Sequence, residues 1–177
     1  MPDAEGGLYR ADLTVLEAAL RFGHGGRAAD AFLRSPMRRA AAFGFALAPL
    51  DVREHSTVYE AAIASMLAAA GVQADYGALS EAERVSVLAR ELASARPLLA
   101  RGAAIGQEAE RALEFLAEFR HMEATHGAAA HGSTIVSMTA GVSDVLEALL
   151  VAKEAGVSEV EATPLFETLA DLEAAPR

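Results

Sequence analysis

Three short apolar runs, Gly44 to Val52, Thr134 to Met138 and Val160 to Glu167, interrupt a chain that otherwise reads as helix. Residues 9–22 place Leu13, Leu16 and Leu20 at three-and-four spacing, an amphipathic helix closed at Gly23. Residues 27–43 predict a second helix that Pro36 kinks or divides. Thr57 with Glu60, and Ser80 with Glu83, have the spacing of capping boxes, for helices ending at Gly71 and at Arg96 before Pro97. Further helices are predicted over 107–126 and from Ser143 to Gly156. In the three runs that periodicity disappears, and an almost continuous apolar stretch such as Gly44–Val52 has the pattern of a strand covered on both faces. The order helices, strand, helices, strand, helix, strand predicts a helix-dominated α/β fold in a single segment, 1–177.

Composition narrows the partners. Fifteen Lys and Arg against 25 Asp and Glu give a formal charge of −10, with the cations scattered among acids, which argues against a nucleic-acid groove. Any bound anion must be met locally, by one or two arginines. The absence of cysteine excludes disulfides and thiolate chemistry and fits a reducing cytoplasm. The start MPDAEGG lacks the pattern of a signal peptide, and no apolar run approaches the roughly 18 residues of a spanning helix, so the reading is a cytoplasmic protein with no membrane partner.

The runs end in chemistry. The first leads to Arg53, set between Asp51 and Glu54, the second to Ser137 and Met138, the third to Glu167. If the strands are parallel and adjacent, these ends converge on one rim. An arginine beside a carboxylate suits an anionic substrate held with a divalent metal, the guanidinium forking onto phosphate or carboxylate oxygens and the glutamate taking Mg²⁺ or Mn²⁺. The same two residues also suit a plain salt bridge at a sheet end, and the pattern alone leaves both readings open. His55 is a candidate donor to an anion or a solvated loop residue. His121, His126 and His131 recur every five residues, which does not stack them on one helix face for a metal. Ser137 has no His and Asp partners at a recognisable spacing.

Three segments, LDVREHS (50–56), SMTAGVSDVLEALLVAKEAG (137–156) and PLFETLADLEAA (164–175), resemble successive signatures of phosphoenolpyruvate carboxylase, in that family's order. FGFAL (43–47) and RELASARPL (90–98) resemble its connecting segments. The resemblance implies a parallel, TIM-like β/α barrel of which about three strands are present. It also implies an Mg²⁺- or Mn²⁺-dependent enzyme that joins phosphoenolpyruvate and bicarbonate to give oxaloacetate and phosphate, a homo-oligomer at full length. Arg53 matches an arginine that contacts the phosphate-bearing substrate, a catalytic and substrate-binding role; Glu167 matches a metal ligand. Glu54, Tyr59 and Val142 stand where many members have Gln, His and Pro. The family's segments with a catalytic histidine, a second metal carboxylate and a glycine-rich arginine loop are absent. The expectation is an internal fragment that is inactive alone, or else a non-catalytic packing or oligomerisation module.

Overall fold

The structure, a computed structural model, describes residues 2–45, 48–127, 131–157 and 160–175. The chain divides into two compact units, Met1–Leu50 with Met122–His131, and Asp51–His121 with Gly132–Arg177.

The first unit holds α1 (Pro2–Phe22), α2 (Gly26–Ala28), a π-helical turn (Ala29–Leu33) and α3 (Arg34–Phe43). The helix expected over 27–43 is divided by the π-helical turn Ala29–Leu33, and Pro36 follows it in the first turn of α3, where the wider turn before it accommodates the missing N–H. Leu13, Ala29, Leu33 and Ala40 are buried, whereas Leu16, on the face expected to be covered, is half exposed.

The second unit contains the sheet. Strands β1 (Leu50–His55), β2 (His131–Ser137) and β3 (Ala162–Leu165) lie in the order β1-β2-β3. β2 and β3 run parallel, with Thr134 opposite Ala162 and Ser137 opposite Leu165. β1 runs the same way, because its links to β2 advance together: the Ser133 N–H donates to Asp51 Oδ1, the Ser137 hydroxyl to the Glu54 carbonyl, and the Ser56 hydroxyl to the Met138 carbonyl. Val52, Thr134 and Val136 are buried on one face, while Asp51 and Arg53 are exposed on the other. Around that buried face pack α4 (Ser56–Ala69), α5 (Glu81–Ala93), α6 (Gln107–His126) and α7 (Val142–Glu154), with Ile63, Met66, Leu88, Leu116, Leu150 and Val151 in the core. A short α8 (Leu169–Ala174) follows β3.

The first strand is shifted from its expected place. Helix α3 continues through the alanines to Phe43, Gly44 turns with φ of +55°, and the strand begins only at Leu50. The period-two alternation of Val52, Arg53 and Glu54 marks the strand better than the apolar run before it. Arg53 therefore lies within β1, not at its end. Among the described residues the sheet is covered on one face rather than two.

Pro164 sits where a proline is tolerated. Thr134 N–H donates to the Glu161 carbonyl and Thr139 N–H to that of Leu165, so odd-numbered residues of β3 face β2 and Pro164 turns its absent N–H to the outer edge.

Candidate functional site

Each strand hands over to a helix, and the three junctions meet at the carboxyl ends of the strands. Arg53 Nη2 donates to Glu167 Oε1 at 2.7 Å, joining β1 to the residues that follow β3. The second carboxylate oxygen, Oε2, accepts from the Met138 backbone N–H at 3.1 Å, at the end of β2. The two side chains are 54% and 31% exposed, so the ion pair itself contributes no more than about 1 kcal/mol. Met138 is held at φ of +56°, a conformation that costs a non-glycine residue on the order of 1 kcal/mol or more.

Next to it, α4 begins at His55. Its Nδ1 accepts from the Thr57 N–H at 3.2 Å and lies 2.8 Å from the Thr57 hydroxyl, which assigns the ring proton to Nε2. His55, not Thr57, caps this helix, because Glu60 is drawn away to Arg84 at 2.8 Å instead of turning back to complete a box. At the start of α7 the capping groups are acidic. Asp144 Oδ2 accepts from the N–H groups of Ala140 and Gly141, and Glu81 takes both the N–H and the hydroxyl of Ser143. A cleft of about 480 Å³ opens between the starts of α4 and α7, lined among others by His55, Thr57, Glu60, Arg84, Met138 and Ser143. Arg53 and Glu167 do not line it.

Within the core is a polar group with no signature in the motifs. The Tyr76 hydroxyl donates to Glu147 Oε1 at 2.7 Å, and Arg84 stacks 5.0 Å over the Tyr76 ring. Glu147 is fully buried, its Oε2 lacks a hydrogen-bond partner among the described residues, and burial pushes its carboxyl up to about 8. Tyr76 is also raised, by burial and then by the bond to Glu147. Tyr59 is buried too, its hydroxyl raised to about 12 by desolvation and then by the nearby Glu54 carboxylate. The one available signal was an acid inside the apolar stretch Val145–Ala152.

Among the described residues no group of three or more His, Cys, Asp or Glu side chains converges as a metal site. Glu167 is a single carboxylate, and these residues do not by themselves hold a divalent cation. The histidine side chain at 131 lies outside the described ones.

The family profile of phosphoenolpyruvate carboxylase matches residues 5–177. The chain belongs to the phosphoenolpyruvate carboxylase family. It is 41% identical over 171 residues to a protein of Chromobacterium violaceum named phosphoenolpyruvate carboxylase, covering 92% of this chain and 19% of that protein. Proteins of the same name from Rhodothermus marinus (44% over 152 residues; 77% and 16%) and Burkholderia pseudomallei (39% over 184 residues; 97% and 18%) are similar in the same way. The chain thus spans less than a fifth of the length of these carboxylases. The three signature segments that suggested the family are the three strand-to-helix junctions: β1 into α4, β2 into α7, and β3 into α8.

Proposed function

We propose that this chain is a segment of a phosphoenolpyruvate carboxylase and contributes Arg53 and Glu167 to its active site. The observation that carries the reading is the 2.7 Å contact between the two, which joins the first and third signature segments at one rim. In the proposed enzyme, phosphoenolpyruvate and bicarbonate give oxaloacetate and phosphate, an anaplerotic carbon fixation in the cytoplasm, and further strands of the same chain close the sheet into a barrel. Only Nη2 of Arg53 is engaged among the described residues, and the guanidinium is half exposed, so its remaining N–H groups are free to fork onto phosphate oxygens. That contact neutralises charge on the substrate and fixes its orientation. Glu167 is one ligand of an Mg²⁺ or Mn²⁺ whose other ligands come from elsewhere, and the assembled enzyme is a homo-oligomer. No helix among the described residues is long and apolar enough to cross a membrane.

A second reading, a packing module without chemistry, is favoured by the apolar side chains that the first unit leaves exposed, Leu8, Val15, Phe22 and Phe32 among them. Assay of oxaloacetate formation separates the two. The 177-residue chain alone is expected to be inactive, because one arginine and one carboxylate do not make a preorganised site. Grafting residues 5–177 in place of the matching segment of a related carboxylase is expected to restore turnover, and Arg53→Lys or Glu167→Gln in that chimaera to remove it; full turnover in both variants overturns the active-site reading.

A further inference from the structure

The end of β2 departs from regular pairing by one residue. With Ser137 opposite Leu165 and Thr134 N–H donating to the Glu161 carbonyl, a strand continuing in register would send the Met138 N–H to the Leu165 carbonyl. That carbonyl is taken instead by the Thr139 N–H, at 3.2 Å. The extra residue is Met138, which adopts the left-handed region and is left with an N–H that the ladder does not use. Its N–H meets Glu167 Oε2 at 3.1 Å, and its carbonyl accepts from the Ser56 hydroxyl at 3.0 Å. Thr139 supports the turn from the other side, its hydroxyl donating to the Val136 carbonyl at 2.8 Å. A strained residue whose N–H and carbonyl, on the two peptide groups that flank its Cα, are fixed by a carboxylate of one junction and a serine of another is an arrangement in which surroundings over-determine the backbone.

We infer that Ser56 and the Met138 peptide are positioning groups for Glu167. Ser56 fixes the Met138 carbonyl and with it the backbone torsions of this residue, the freed N–H of the preceding peptide takes Oε2, and Oε1 is thereby turned toward Arg53. Without that N–H the carboxylate would rotate about its last bond, and the Arg53 contact would no longer select one orientation. This deepens the carboxylase reading, on which it rests for its role in the reaction but not for its geometry.

Amide NMR of the isotopically labelled 177-residue chain tests the geometry without turnover. Glu167→Gln, which exchanges a charged acceptor for a neutral one, is expected to move the Met138 amide proton upfield more than any amide outside the rim. Ser56→Ala is expected to speed hydrogen exchange at Met138 by roughly three- to tenfold, the worth of one hydrogen bond, leaving Leu88 and Leu150 in the core unchanged, and Ser56→Thr to restore it. A Met138 amide indifferent to Glu167→Gln overturns the inference, as does Ser56→Ala accelerating every amide alike. These outcomes are independent of the oxaloacetate assay, so failure of the positioning and failure of the carboxylase reading are told apart.

Discussion

The hydroxyl of Tyr76 donates to the carboxyl of Glu147 in a place neither side chain shares with solvent. Burial pushes the folded carboxyl up to about 8, against an ordinary value of 4.5, so between these limits the native state binds more protons than the unfolded chain. Stability contributed by this group is therefore fully present below about 4.5 and lost as pH rises through about 8. Urea midpoints at pH 5, 7 and 9 are expected to fall in that order, and Glu147→Gln to flatten the decline. An equal decline in the variant would assign the effect to other groups.

Gly132 allows β1 and β2 to approach. A Cβ at this position would overlap Asp51 Oδ1, which is held there by the Ser133 N–H. Gly132→Ala is expected to destabilise the chain by about 1–3 kcal/mol in denaturant melts, as overpacking does. Asp51→Ala in the same chain is expected to recover part of that loss, and strictly additive losses would show that the two positions are not coupled.

Lys153, in the last turn of α7, donates to the carbonyls of Glu91 and Ser94 and closes the carboxyl end of α5. Lys153→Met keeps the aliphatic stem and removes the donor. An expected loss of about 1–3 kcal/mol follows, measured by thermal or urea unfolding, because the carbonyls are partly buried and left without this partner.

The rim pair is expected to behave in the opposite way. Arg53→Lys and Glu167→Gln should each change stability by less than about 1 kcal/mol, since the pair is solvent-exposed. In the chimaeric carboxylase the same substitutions are expected to lower kcat/KM by about 100-fold or more, the usual scale for losing a charge-stabilising group. Comparing unfolding midpoints with turnover in the same variants checks the contrast.

Much of this was legible because the signals are local. Ser80 and Glu83 form their contact within one helical turn, and helix α6 has the bounds its periodicity predicts. The convergence of Arg53 and Glu167 was legible from the ends of the apolar runs, although the strand itself begins later than the run and carries Arg53 inside it. The rest depended on partners far apart in the chain. Thr57 and Glu60 satisfy the spacing of a cap, yet Arg84 claims Glu60 and His55 takes over the capping. Spacing cannot anticipate the bond between Tyr76 and Glu147, or the displaced Thr139 N–H that frees Met138, because both arise only when separate elements pack together.

Pro164 has a consequence for how the chain meets other copies of itself. Two copies joining at their β3 edges would each lack a rung at that residue, whereas β1 contains no proline and has only its last N–H, that of His55, turned to the Glu54 carboxylate. Sheet-edge pairing between copies, were it to occur, would accordingly favour the β1 side over the β3 side.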